Sequence, residues 1–279
     1  MRSVWTISHL TLYEARRRRI VVAALVCGAA FLAVFWTAMF FVRREMIAAD
    51  PPKPFVETQA MMAFFTLAGL YATNFLSVLF AVLLPVDALS GEIDSGVMQT
   101  LASKPVRRAD IVIGKWFGHG MLVVAYVLFL AFGVLLATRL VAGYIAINVT
   151  TAVLLIVLEA LLLMTASIAG GTRLSTVTNG VVALGWYGIA FIGGWVEQVG
   201  AISGVHAAKM VGIIASLLSP ADVLWRLASF HMQPPAVRGL GPLLFAVASL
   251  PSTLMVWWAA GFGILLLIWA IRSFNGRAL

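Results

Sequence analysis

Long apolar runs without a charged residue constrain this chain more than any other feature. The first, residues 20–42, is longer than the roughly 20 residues that a helix needs to cross the hydrocarbon core of a bilayer. Only 11% of the residues are charged and the mean hydropathy is +1.02, whereas soluble domains carry roughly 25% charged residues. A chain this apolar cannot cover its surface with polar groups in water. We therefore expect an all-α, polytopic protein that is embedded in lipid.

Six such runs predict six transmembrane helices in a single domain, 1–279. The predicted spans lie at 20–42, within 60–86, within 116–138, and at about 144–170, 174–196 and 253–271. Residues 1–19 mix apolar and basic side chains, which predicts a short interfacial helix on the membrane face. Residues 197–252 are too apolar for a loose loop and too rich in glycine and proline for one spanning helix. In this extracytoplasmic region we expect short re-entrant helices that dip into the outer leaflet before the last span.

The distribution of positive charge predicts the orientation. Six spans put both termini on one side, and with both termini cytoplasmic the inner segments carry twelve Lys and Arg residues and the outer segments seven. The inner set is Arg2, Arg16, Arg17, Arg18, Arg19, Lys104, Arg107, Arg108, Lys115, Arg173, Arg272 and Arg277. The excess agrees with the positive-inside rule.

The net charge of +8 does not indicate a nucleic-acid partner, because the basic residues lie mostly at the ends of apolar runs. We expect membrane lipids as partners and no nucleic acid. The single Cys27 and the four dispersed histidines give no metal-ligand spacing. No Ser/His/Asp set or carboxylate pair has helical spacing on one intramembrane face, so there is no candidate catalytic constellation.

Residues 87–115 form the long polar interruption that is both charged and regularly patterned. Ser90 is a candidate N-cap for a helix over 91–103, and Leu89, Ile93, Val97 and Leu101 would form one apolar stripe along it. Lys104-Pro105 would end this helix, because the residue before a proline is pushed out of the α region. A second helix would begin near Arg107 or Arg108 and run into the third span. Periodicity alone is compatible with a solvated amphipathic loop and with a specialised contact element.

A family resemblance separates those two interpretations. The segments 90–99, 101–108 and Gly114-Lys115 resemble the motifs of permease subunits of type-2 ABC transporters, closest to the branch linked to multicopper-enzyme maturation and nitrous-oxide-reductase assembly. The overall resemblance, in six spans and motif order, covers nearly the whole chain. Val97-Met98 replaces the usual Thr-Leu, and Arg107 replaces a small hydroxyl residue, which would cost the second helix an N-cap of about 1 kcal/mol.

The resemblance implies one half of a membrane pump in the cytoplasmic (inner) membrane of a bacterium. Two permease copies would pair as a homodimer, and two separate ATP-binding subunits would dock beneath them. ATP and Mg would bind to those partners, and this chain would hold no cofactor. The sequence contains no G-x-x-x-x-G-K-[ST] loop, so the chain itself is not expected to be an ATPase.

The residues that match the family's coupling motif are the candidate site. They are Glu92, Asp94, Ser95, Gly96, Lys104, Pro105, Arg107, Arg108 and Lys115. We expect them to receive force from the ATPase and to drive either substrate export or extracytoplasmic assembly.

Glu159 is a separate candidate, because it interrupts a predicted span. A carboxylate near the bilayer centre costs about 2.5–3.5 kcal/mol on insertion scales, so it should face protein or a cavity. It could belong to a substrate path or a conformational latch. It could also be a structural partner of His119, Arg139 or a hydroxyl such as that of Thr165, or a protonated carboxyl. Two other functions stay open from the residues: a stand-alone secondary transporter, which favours several intramembrane charges, and an integral-membrane enzyme.

Overall fold

The structure is a computed structural model and describes residues 2–48, 55–96, 107–233 and 249–277. Within these ranges every regular element is a helix. The helices are α1 Arg2–Arg17, α2 Arg19–Ala48, α3 Phe55–Leu83, α4 Ser90–Asp94, α5 Arg108–Ala142, α6 Val149–Gly170, α7 Thr176–Ser203, α8 His206–Leu218, α9 Ala221–Met232 and α10 Leu254–Asn275. The predicted all-α class is confirmed.

Six of the described helices are long and apolar enough to cross a membrane: α2, α3, α5, α6, α7 and α10. Each of them overlaps one of the six predicted spans, because hydropathy is a local property of the sequence. The longest, α5, has 35 residues. At 1.5 Å per residue it is about 52 Å long, so it extends well beyond a hydrocarbon core of about 30 Å.

The spans pack in pairs that run in the same direction. Between α2 and α5, the Tyr126 hydroxyl donates to the Ala24 carbonyl at 3.0 Å. Further toward the C-terminal ends of both helices, Trp36 Nε1 donates to the Gly133 carbonyl at 3.0 Å. Along α3 and α6, Asn74 contacts Glu159, and Ser167 Oγ donates to the Val82 carbonyl at 2.8 Å. The first and third spans are therefore parallel, as are the second and fourth, which is the pattern of a chain that crosses back and forth.

Helices α8 and α9 form a bent pair, with an angle of 109° at the break between them. Helix α8 runs back along the end of α7: Gly193 lies against Ala215, and Gly200 lies against the backbone nitrogen of Lys209. Helix α9 then returns, and the His231 carbonyl accepts a hydrogen bond of 3.2 Å from Asn148 at the start of α6. Both ends of the pair thus lie at the same end of the bundle, and its re-entry into the outer leaflet stays a prediction.

The fifth span is longer than predicted. Helix α7 continues to Ser203, so Glu197 belongs to this helix and does not begin an outer loop. Hydropathy placed the boundary at Val196 because a charged residue follows it. In the fold the Glu197 carboxylate is buried against α8 and α9, and the helix does not end there.

Candidate functional site at the end of the bundle around α4

Helix α4 is shorter than the helix predicted over 91–103. It ends at Asp94, after which Ser95 and Gly96 turn the chain, with Gly96 at φ 74°. A glycine in this left-handed conformation is a common helix terminator, because it lacks the Cβ that would clash there. One continuous helix through Ser103 is therefore wrong, while the predicted stop at Lys104-Pro105 lies outside the described residues.

Ser90 does not cap α4. It is the first residue of the helix, and its hydroxyl donates to the Val86 carbonyl at 3.2 Å and lies 2.9 Å from the Thr176 hydroxyl at the start of α7. The predicted N-cap is wrong because the preceding turn already supplies an acceptor for the hydroxyl. The contact with Thr176 fastens α4 to the beginning of the fifth span.

An ion pair between Glu92 and Lys115 joins α4 to α5. Lys115 Nζ donates to Glu92 Oε1, and the side chains are only 6% and 16% exposed for Lys115 and Glu92. Taking two charges out of water is expensive unless they meet each other, so this pair holds the two helices in one geometry. Two of the predicted site residues are thus brought together, but they face each other and leave little charge free for another protein.

A second group of ion pairs joins the residues just before α4 to the N-terminal helix. Arg18, in the break between α1 and α2, pairs with Asp87 and with Glu14, the latter at 2.7 Å. Burial alone would raise the pKa of Glu14, but the hydrogen bond and charge of Arg18 outweigh it and hold that pKa below its ordinary value. The α1–α2 junction is therefore tied to the chain just before α4.

Arg108 is fastened to the end of the last span. Its guanidinium donates to the carbonyls of Asn275 at 3.1 Å and Arg277 at 2.7 Å. Arg277 in turn donates to the Thr172 carbonyl at 2.7 Å, in the turn between α6 and α7. The start of α5, the end of α10 and the α6–α7 turn consequently meet at the same end of the bundle as α4.

Helix α1 packs directly on the Gly114 and Gly118 pair at the start of α5. A Cβ on Gly114 would lie 2.7 Å from Ile7 Cβ, and one on Gly118 would lie 2.7 Å from Thr11 Cβ. Ser3 also hydrogen-bonds Asp110, so the contacts advance in step along both helices. The GxxxG spacing of Gly114 and Gly118 therefore provides the surface on which the N-terminal helix packs. Whether α1 also lies in the membrane plane stays a prediction.

The remaining predicted residues divide into exposed and undescribed positions. Ser95 and Arg107 are exposed, and Arg107 precedes α5 without a side-chain cap, as expected from the loss of a small hydroxyl residue. The second helix begins at Arg108, as predicted. Asp94 lies at the end of α4, but its side chain and the residues Lys104 and Pro105 are outside the described part.

Glu159 is fully buried in α6. Asn74 Nδ2 donates to its Oε1 at 3.3 Å, while Oε2 has no partner among the described residues. None of the three predicted partners contacts it: His119 bonds the Lys115 carbonyl, and Thr165 accepts from Trp116. The partner is Asn74 because α3 and α6 are parallel neighbours, which the sequence does not reveal.

Sequence reasoning missed a buried charged group near the opposite end of α7. Arg226 in α9 lies 2.9 Å from Glu197 and 2.9 Å from Asp222, and all three side chains are less than a tenth exposed. Two signals were available: Asp222 and Arg226 are spaced i, i+4, and the surrounding sequence is strongly apolar. Glu159 is therefore accompanied by other buried charges.

Comparison with known proteins identifies relatives. A model of the family described as "ABC-2 family transporter protein" matches residues 5–208, which is most of the chain. A protein of Stutzerimonas stutzeri named "Probable ABC transporter permease protein NosY" is 31% identical over 134 residues, 48% of this chain and 44% of the relative. A protein of the same name from Pseudomonas aeruginosa is 30% identical over 131 residues, 47% of this chain and 43% of the relative. The matched stretch thus spans less than half the length of these curated relatives.

Proposed function

This chain belongs to the ABC-2 transporter family as a multi-pass membrane permease, and on that premise we propose that it couples ATP hydrolysis in a separate subunit to work across the membrane. The ATP-binding partner would dock beneath α4 and hold both ATP and Mg. A second permease copy would complete the pump in the inner membrane of a bacterium. The work would be export or extracytoplasmic assembly; both curated relatives are named as ABC transporter permeases.

The observation that carries this proposal is the set of contacts that join α4 to several spans. Glu92–Lys115 ties α4 to α5, Ser90–Thr176 ties it to α7, and Arg18–Asp87 ties the chain before α4 to the α1–α2 junction. A coupling element has to move its spans without slack. Force applied to α4 would therefore pass to α5, α7 and α2 together, as a rigid-body movement requires.

The same contacts divide the predicted site by role. Glu92 and Lys115 are directed at each other and would transmit movement within the permease. Arg107 and Ser95 are exposed on either side of residues 97–106 and would contact the ATPase. An arginine on a surface can form charge-assisted hydrogen bonds with a partner carboxylate.

Co-purification tests the proposal. The tagged permease should carry an ATP-binding subunit through purification when the two genes are expressed together. Arg107→Glu should weaken that association, because the reversed charge repels the docking carboxylate. Arg44→Glu, at the far end of α2, is the matched control and should bind the ATPase normally. Retention of the ATPase by Arg107→Glu at the wild-type level would refute the docking role, and failure of the wild-type chain to retain any ATPase would refute the proposed function.

A stand-alone secondary transporter is the second candidate function. The structure supports it more than the sequence alone, because it shows several buried charged side chains where the sequence had indicated only Glu159. Such transporters place several ionisable groups near the substrate site, and Glu159, Glu197, Asp222 and Arg226 are all buried here. Transport by the purified chain in vesicles, driven by an ion gradient without ATPase or ATP, would support this candidate over the first.

A further inference from the structure

A cavity of about 330 Å³ opens between α7, α8, α9 and the chain that enters α10. Its volume is at the lower end of the range for small-molecule sites. The lining combines charged and hydroxyl residues with apolar ones: Glu197, Lys209, Ile213, Ser216, Val223, Arg226, Ser249, Leu250, Pro251, Ser252 and Met255. It lies where α7 ends and α10 begins, at the level of the helix ends, where lipid head groups meet a membrane protein.

Arg226 on the cavity wall already has protein partners for its charge. Its guanidinium lies 2.9 Å from Glu197 Oε2 and 2.9 Å from Asp222 Oδ2, and it donates to Ser216 Oγ at 2.9 Å. The side chain is 7% exposed. The charge of Arg226 is therefore compensated by carboxylates of the chain itself.

Glu197 is matched in the same way. One carboxylate oxygen faces Arg226, and the other accepts a hydrogen bond of 2.6 Å from Ser249 Oγ. A cation brought by a ligand would find both oxygens already engaged. Glu197 therefore does not provide a site for a positively charged ligand in this cavity.

Lys209 is different, because it lines the cavity and forms no ion pair with any residue in the described part of the chain. It is partly buried in α8, and no described residue accepts a hydrogen bond from it or pairs with it. An ammonium carries three donors and strongly prefers oxygen acceptors. The apolar residues Ile213, Leu250 and Met255 of the same wall offer no oxygen acceptor. An anion bound in the cavity would therefore give Lys209 a counter-charge.

We propose that this cavity binds the phosphate ester of an anionic ligand, with Lys209 as the charge partner and the apolar wall against the ligand's uncharged portion. Two sources share this chemistry: the head group of an anionic phospholipid and a free phosphate compound. The position at the helix ends favours the lipid head group. The site is formed by this chain alone, so a test of ligand binding does not depend on whether the proposed coupling to an ATPase is correct.

Binding to the detergent-purified full chain tests this site. The probes are a short-chain phosphatidylglycerol, a phosphatidylcholine with the same acyl chains, and inorganic phosphate, with affinity measured by titration and by the shift in Tm. We expect phosphatidylglycerol to bind and to raise Tm, and phosphatidylcholine to have no effect, because its own choline neutralises the phosphate. Saturable binding of inorganic phosphate that competes with the lipid would assign the site to free phosphate compounds.

Three variants decide whether Lys209 is responsible. Lys209→Gln should weaken binding roughly tenfold or more, the effect of losing one charge-assisted hydrogen bond, while Lys209→Arg keeps the charge and should retain most of the affinity. Arg44→Gln removes the same charge from the end of α2 and should bind as the wild type does. The proposal would be overturned if Lys209→Gln kept the wild-type affinity, or if Arg44→Gln lost as much affinity as Lys209→Gln. It would also be overturned if neither phosphatidylglycerol nor inorganic phosphate bound to the wild-type chain. The Tm of each variant without ligand shows whether it is folded.

Discussion

At the scale of single residues, three charged members of the candidate site, Glu92, Lys115 and Arg108, have partners within the permease. Glu92 and Lys115 are 23 positions apart in the sequence, yet they form an ion pair shielded from water. Arg108 uses its guanidinium on backbone carbonyls at the end of the last span. These residues therefore set the geometry of the bundle end, and the surface that a partner would meet is formed by their exposed neighbours.

Unpairing Glu92 and Lys115 should destabilise the protein. Glu92→Gln leaves a buried ammonium without its counter-charge, and breaking a buried pair in this way costs on the order of 3 kcal/mol. The double variant Glu92→Gln/Lys115→Met removes both charges and should recover much of the lost stability, as thermal unfolding of the detergent-purified protein can measure. Arg107→Gln, at an exposed position, is the control with unchanged Tm. Additive losses in the double variant would show that the pair is not coupled.

Acid should weaken the contact between Glu14 and Arg18. Arg18 holds the pKa of Glu14 below its ordinary value of 4.5, so the carboxylate stabilises the fold above that value, and this contribution disappears as the pH falls through the lowered pKa. Wild type should therefore be more stable than Arg18→Gln at pH 7, and the part of this difference that comes from Glu14 should disappear as the pH falls through its lowered pKa. Tm measured for both proteins from pH 7 into the acid range shows whether the stability difference shrinks as the pH falls. A stability difference that persists unchanged in acid would contradict the prediction.

At the scale of elements, the N-terminal helix is packed against the start of α5, at the end of the bundle that holds α4. Helix α1 runs beside the start of α5, with Ile7 on Gly114 and Thr11 on Gly118. Glycines at these positions let the two backbones approach closely. Because the α1–α2 junction also pairs with Asp87, α1 contacts both the chain that precedes α4 and the helix that follows residues 97–106.

Side chains at Gly114 or Gly118 should dislodge α1. An added Cβ at either position would overlap α1 atoms at 2.7 Å, and overpacking of this kind typically costs about 1–3 kcal/mol. Gly114→Val should lower Tm and expose the N-terminal helix to limited proteolysis. In the control, Gly120→Ala, the new Cβ would lie 3.6 Å from Leu161, which is ordinary contact, so the digestion pattern should match that of the wild type. Equal protease resistance in Gly114→Val would show that α1 does not depend on this contact.

At the scale of the whole molecule, four of the six spans form two parallel pairs, α2 with α5 and α3 with α6, and several elements meet at one end of the bundle. Helices α4 and α5, the α6–α7 turn and the end of α10 meet there. The cavity with Lys209 lies at the other end, beside the bent pair α8–α9. Helix α7 connects these two ends directly: Thr176 contacts α4, and Glu197 lines the cavity.

The predicted orientation can be read from cysteine labelling in intact cells. Cys27 is exposed in α2 and is first replaced by serine. A single cysteine at Ser203, an exposed position at the end of α7, should react with a membrane-impermeant maleimide added outside the cytoplasmic membrane. A single cysteine at exposed Ser95 should react only after the membrane is opened. The reverse pattern would place the coupling region outside and would contradict the positive-inside assignment.

The sequence by itself determined the class of protein and its six spans, because hydropathy acts residue by residue and needs no knowledge of neighbours. It also determined the start of α5 near Arg108 and carried the family resemblance that the comparisons confirm. It failed where a residue's role depends on a distant partner. The stop after Asp94 had a local signal in Gly96, but the pairing of Glu92 with Lys115, of Glu159 with Asn74, and of Arg226 with Glu197 had none.

Only the tertiary structure decided those pairings, and the physical reason is the low dielectric of the interior. A buried charge or polar group has to be satisfied by whatever side chain the packing of other helices brings near. The alignment of parallel spans selects that partner, and the alignment is a property of the whole bundle. For the same reason, Lys209 looks like an ordinary basic residue in the sequence. In the fold it lines a cavity together with Glu197, whose carboxylate is already paired with Arg226.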